Sequence, residues 1–265
     1  MPQALVNGVR IHYEEAGSGP PVLLIMGLGA SLDWWGTLPA SLAPRFRVIT
    51  FDNRGAGRSS HPTGRYSIRQ MADDALGLMD AVGMDRAHVL GYSMGGMIAQ
   101  EIAIANPGRV DRLILAATGP SGLCGTLPRL RAWWLMLSPP RPGRYRDNVL
   151  ELLFPTEYIR SHPEEVDEAW RMISASPADR PSFMRQLGAI LRWSSCGRLS
   201  RIAAPTLIVH GGRDILLPVG NAHLLARRIP QSRLELFPEG GHGFGLQGAL
   251  DFAPFVRAFL DGEST

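Results

Sequence analysis

The chain has 265 residues, 45% of them hydrophobic, 19% charged and 8% aromatic, a balance suited to a packed globular protein and not to a disordered one. All 27 basic side chains are Arg and none is Lys, against 24 acids, which leaves a net charge of +3. Lysine Schiff bases, lysine general bases and phosphate-loop lysines are therefore excluded. So small a charge, with its arginines spread along the chain, argues against nucleic acid as a partner.

The opening stretch MPQALVNGVRIHYEE lacks the apolar core of a signal peptide, and no run approaches the roughly 18 apolar residues of a membrane span. A soluble cytoplasmic protein without a membrane partner is expected. Cys124 and Cys196 are too few for a disulfide framework and lack metal-ligand spacing. They are read as two free thiols, with pairing open if the fold brings them together.

Short apolar, β-branched runs recur at Val9–Tyr13, Pro21–Met26, Phe46–Phe51, Ala87–Gly91, Val110–Ala116, Pro205–Val209 and Arg233–Phe237. Each has strand length, and several are apolar throughout, as strands covered on both faces should be. Helical spacing appears between them. Ser67–Val82 places Ile68, Met71, Ala75, Leu78 and Met79 on one face, Met94–Ala105 stops at Asn106-Pro107, and Val219–Arg228 stops near Pro230. This alternation predicts βαβ units and a mostly parallel sheet with its ligand site beyond the C-terminal strand ends.

The segment 120–200 breaks the alternation. It holds nine of the 21 prolines, four of the six tryptophans (Trp133, Trp134, Trp170, Trp193) and helical patterns at Leu130–Leu137, Arg146–Leu153, Val166–Ile173 and Ser182–Leu191. It reads as a helical cap inserted into a core formed by 1–119 and 201–265. Its tryptophans suit either an apolar roof over a pocket or the packing of the cap's own helices. The segment carries 11 Arg against 8 acids and so accounts for the whole net charge. Those arginines either face solvent or meet an anionic substrate.

Gly91-Tyr92-Ser93-Met94-Gly95 matches G-x-S-x-G and lies between a predicted strand and a predicted helix. A serine on so tight a turn takes a strained backbone, and small neighbours let strand and helix approach. Ser93 is the candidate nucleophile, at a helix N-terminus that favours developing negative charge. An alcohol needs a base, and the base an orienting carboxylate. Asp214 follows the strand that ends near Val209, and His242 sits in a glycine loop after the strand ending at Phe237. The chain order Ser, Asp, His is that of the α/β-hydrolases. His210, which also ends a strand, is the nearest rival base, and Asp52 the rival acid, although Asp52-Asn53-Arg54-Gly55 reads as a turn held by side-chain to backbone bonds. The oxyanion hole is assigned to the amides of Met94 and Leu28, with Gly27 as the alternative to Leu28.

These motifs resemble the α/β-hydrolase family with a helical cap, over essentially the whole chain. The segment Tyr66–Val110 looks most like 3-oxoadipate enol-lactonases and related esterases, although Met26 stands where many relatives have a histidine before the oxyanion glycine. The resemblance implies hydrolysis of a small-molecule ester or lactone through an acyl-enzyme, without cofactor or metal. Two further readings keep the same triad: acyl transfer to peroxide by a cofactor-free perhydrolase, and a ligand-sensing receptor built on the hydrolase fold.

Overall fold

The computed structural model describes residues 2–121, 124–137, 143–176, 178–247 and 252–262. Outside these lie 1, 248–251 and 263–265 of the predicted core and 122–123, 138–142 and 177 of the predicted cap.

The described strands are β1 (Gln3–Val6), β2 (Val9–Ala16), β3 (Pro21–Ile25), β4 (Arg47–Phe51), β5 (Ala87–Tyr92), β6 (Val110–Ala116), β7 (Thr206–Gly211) and β8 (Ser232–Phe237). They form one sheet in the order β1-β2-β4-β3-β5-β6-β7-β8, in which the pairs β1–β2 and β2–β4 are antiparallel and the remaining pairs parallel. All seven strands read from the sequence are present. β1 was not among them, because only Val6 of its four residues is buried. Its hairpin turns at Asn7 and Gly8, both left-handed (φ 49° and 77°), the pair a tight two-residue turn calls for.

The apolar strands alternate between two cores. Leu23, Ile25, Val89, Leu113, Leu115 and Ile208 face one side, where α2 (Ile68–Ala81), α3 (Met94–Ala105) and α9 (Gly220–Arg228) supply the covering apolar residues. Val22, Leu24, Leu90, Ile114, Leu207 and Val209 face the other, covered from α1 (Leu38–Leu42) and α10 (Ala253–Asp261). Burial on both faces explains why these strands read as unbroken apolar runs and not as alternating ones. The Ser67 hydroxyl caps α2 by accepting from the Gln70 amide (3.1 Å), which sets the start of that helix.

Between β6 and β7 the described residues form α4 (Leu130–Leu137), α5 (Tyr145–Leu153), α6 (Thr156–Ser161), α7 (Pro163–Ser174) and α8 (Arg180–Leu191). This helical segment has an apolar cluster of its own, built on Leu150, Phe154, Tyr158, Val166, Ala169 and Ile173.

Cys124 and Cys196 form a disulfide, which corrects the expectation of two free thiols. β6 and β7 are neighbours, so the chain leaves and re-enters the sheet side by side, and the Ser195 amide donates to the Pro120 carbonyl at 3.0 Å. The two cysteine Cα atoms lie 6.1 Å apart, within bridging reach, although 72 positions separate them in sequence. Titration with a thiol reagent in denaturant should therefore detect no free thiol before reduction and two after it. Two thiols in unreduced protein would contradict the bridge.

Candidate active site

The chain runs from β3 to β4 on one side and then to β5 on the other, so β3 and β5 flank a topological switch point. The loops leaving β3, β5, β7 and β8 all emerge at the same edge, and they carry the residues picked out in the sequence.

Ser93 joins β5 to α3 with a left-handed backbone (φ 57°, ψ −119°), unusual for a residue with a Cβ and a store of local strain. Ten residues of α3 are buried, which anchors the helix against that strain. Gly95 is obligatory here, since a Cβ on it would collide with the Ile25 carbonyl of β3. Gly27, on the β3 loop, lies so close that a Cβ would come within 3.0 Å of the Ser93 Cβ.

His242 Nε2 lies 3.0 Å from Ser93 Oγ, and its Nδ1 lies 2.7 Å from Asp214 Oδ2. The other Asp214 oxygen accepts from the amides of Leu216 and Leu217, both at 2.8 Å. Asp214 and His242 are buried and Ser93 is half-buried. With Nδ1 donating to the carboxylate, His242 presents the unprotonated Nε2 toward the serine hydroxyl.

The rivals fall elsewhere. His210 is fully buried, donates from Nε2 to the Leu217 carbonyl (2.7 Å) and stands 3.5 Å from Asp214; burial pushes its pKa down. Asp52 holds a turn, as its cluster suggested, accepting from the amides of Leu32 (2.6 Å) and Arg58 (2.7 Å), and burial raises its pKa. Neither lines the cavity described below.

Met94 opens α3, and Leu28 lies on the β3 loop beside the serine. The Gly29 amide is already occupied, donating to Gln186 Oε1 at 2.8 Å. Among the described residues, no group of three or more His, Cys, Asp or Glu is placed to hold a metal ion.

Ser93 and His242 open into a cavity of about 620 Å³ walled by Trp34, Trp35, Leu135, Leu152, Leu153 and Phe183, among others. Its volume and apolar walls are those of a small-molecule site. The tryptophans of the helical segment are not among the described lining residues. Trp193 donates to Glu101 Oε2 (2.8 Å), Trp170 packs edge-on against Tyr145, and Trp134 is 54% exposed. The tryptophans at the cavity are instead Trp34 and Trp35, brought in by the β3 loop. Phe154 stacks on Tyr158 and is not among the described lining residues. Among its described residues the segment contributes one cation to the lining, Arg180, and one buried amide, Asn148.

Two residues around the site, Tyr92 and Gln186, had no signal of their own in the sequence, and Asn53 was read only as part of a turn held by side-chain to backbone bonds. Tyr92, the variable position of the elbow, donates from its hydroxyl to the His242 carbonyl at 2.5 Å, and burial raises its pKa. Asn53 donates from Nδ2 to the Met26 carbonyl at 2.9 Å, and Gln186 reaches the β3 loop from α8.

A family model for the α/β hydrolase fold matches residues 20–249, and the chain belongs to that family. Among curated proteins it is similar to the "Putative carbamate hydrolase RutD" of Caulobacter sp. (strain K31), with 30% identity over the full length of both chains. Among solved structures it resembles the enol-lactonase of Burkholderia xenovorans LB400 (28% identity, TM-score 0.85, 98% of this chain and 100% of that one). It also resembles a thermophilic esterase from Thermogutta terrifontis (28% identity, TM-score 0.80, 96% and 94% covered).

The Tyr92 hydroxyl ties the histidine loop to β5, so Tyr92→Phe should lower the free energy of unfolding by about 1 kcal/mol, the usual net contribution of one intramolecular hydrogen bond. A urea titration measures this, and an unchanged midpoint would remove the bond from the account.

Proposed function

We propose that the protein is a serine hydrolase of carboxylic esters or lactones, acting through an acyl-enzyme. The observation that carries this reading is the connected line Asp214–His242–Ser93, with spacings of 2.7 and 3.0 Å, opening into an apolar cavity.

In this reading Ser93 Oγ attacks the substrate carbonyl carbon while its proton passes to His242 Nε2. Asp214, held by two backbone amides, fixes the ring orientation and stabilises the imidazolium. The oxygen that gains charge rests on the amides of Leu28 and Met94, the latter at the N-terminus of α3. Collapse expels the alcohol, which takes the proton from His242; in a lactone the alcohol stays attached to the acyl group. Water then enters and attacks the acyl carbon while its proton passes to His242; the bond to Ser93 Oγ breaks, Ser93 takes that proton back from His242, and the acid leaves. The helical segment serves as the cap that supplies much of the acyl pocket.

The lining favours an apolar acyl or aryl group. Arg180, the single cation among the described lining residues besides any charge on His242, marks the place where an anionic substituent would be held. A carbamate, named for the relatives, presents the same kind of carbonyl. The apolar walls support esters and lactones first.

Ser93→Ala should abolish covalent labelling by a fluorophosphonate and reduce turnover by about a million-fold, the scale of nucleophile loss in such triads. Retained turnover would remove Ser93 as the nucleophile. Along a p-nitrophenyl ester series, kcat/KM should rise from acetate to hexanoate, by up to about fourfold per carbon at roughly 0.8 kcal/mol for each buried methylene. A maximum at acetate, or a preference for anionic lactones over every neutral ester, would displace the apolar-acyl assignment.

A further inference from the structure

The β3 loop that carries Leu28 is held at three points, and the three holders are not equivalent. At its start Asn53 Nδ2 donates to the Met26 carbonyl (2.9 Å), and beyond its end the Leu32 amide donates to Asp52 (2.6 Å). Both anchors belong to the rigid turn after β4. The middle of the loop is held from α8, where Gln186 accepts from the Gly29 amide through Oε1 (2.8 Å) and donates through Nε2 to the Arg54 carbonyl (2.8 Å). The Gln186 side chain is fully buried, and each end of its amide has a backbone partner.

Gly29 itself is left-handed (φ 69°), and a Cβ there would come within 2.9 Å of Phe183, one turn of α8 before Gln186. Loop and helix are thus in direct contact around this bond. The Arg54 carbonyl is a firm base for the clamp, because the Arg54 guanidinium forms a two-point pair with Asp74 (2.5 and 2.7 Å) among buried neighbours.

We propose that Gln186 is a positioning residue: it holds the β3 loop in the shape that aims the Leu28 amide at the oxyanion, so the oxyanion hole is complete only while α8 is seated on the core. The inference rests on the serine-hydrolase reading above. An unseated α8 leaves the Gly29 amide without its acceptor, and a loop with free left-handed glycine geometry at its centre then relaxes. Ser93, His242 and Asp214 stand on other loops and keep their bonds. The chemistry is thereby made conditional on closure of the segment that also walls the acyl pocket, which limits reaction when that pocket is open to water.

The experiment compares Gln186→Leu, Gln186→Glu and Trp193→Phe with the unmodified chain on one p-nitrophenyl ester. Trp193→Phe breaks a different buried bond between the helical segment and the core, to Glu101, away from the β3 loop. Gln186→Leu should lower kcat by about 10- to 100-fold, the scale of a displaced and not deleted oxyanion donor, with KM within about threefold. It should weaken binding of a boronate transition-state analogue by a similar factor. Gln186→Glu keeps an acceptor for Gly29 and should be at least about fivefold faster than the leucine variant, and Trp193→Phe should keep kcat. Where the leucine variant yields no folded protein, Gln186→Asn, which shortens the reach, carries the same expectation. Unchanged kcat in Gln186→Leu, an equal loss in Trp193→Phe, a loss confined to KM, or a glutamate variant no faster than leucine would each overturn the proposal. Fluorophosphonate labelling of the unmodified chain at Ser93 separates this outcome from failure of the hydrolase reading: without labelling the reading falls, and with it only the role of Gln186 is at stake.

Discussion

The left-handed backbone of Ser93 is the constraint on which the arrangement of this molecule depends. It lets the chain turn from β5 into α3 so sharply that the serine stands above the sheet edge with the helix amides behind it. That turn forces β3, β5 and α3 into contact, which is why Gly95 can carry no side chain and why Gly27 faces the serine so closely. The strain is held by burial, since α3 is enclosed over ten of its twelve residues.

The loops around the serine are held by polar side chains buried beneath them. Asp52, Asn53 and Arg54 follow β4 and between them bind the Leu32 amide, the Met26 carbonyl and Asp74. A pair as buried as Arg54 and Asp74 adds little net stability once desolvation is counted, and its effect here is better described as fixing geometry. Tyr92 does the same for the histidine loop from the far side. The active-site edge is therefore a set of short loops, each tied to a neighbour by at least one buried bond, on a sheet whose two faces are filled with apolar residues.

Much of this was legible in the sequence, for reasons particular residues make plain. The strands β3, β5, β6 and β7 are apolar on both faces and so stand out as unbroken runs, and α3 starts at the glycine-flanked serine and ends at Asn106-Pro107. β1, α1, α6 and α10 left weaker traces, being short or lacking a strong start signal. Ser93, Asp214 and His242 could be named because each follows a strand in a parallel sheet, and their convergence to within 3.0 Å is a property of strand order.

What chain composition and spacing determined by themselves was the class of fold, the absence of lysine chemistry and the three residues proposed for the reaction, because these depend on local pattern and on the order of strands. Tertiary structure alone decided which tryptophans meet the cavity, that Cys124 and Cys196 pair across 72 positions, and that Gln186 on α8 binds the loop after β3. These contacts join residues far apart in the chain whose own neighbours carry no trace of the partner. Which face of a helix looks inward, and onto what, is set by how the helical segment packs on the sheet, and that is information the periodicity of a single helix does not hold.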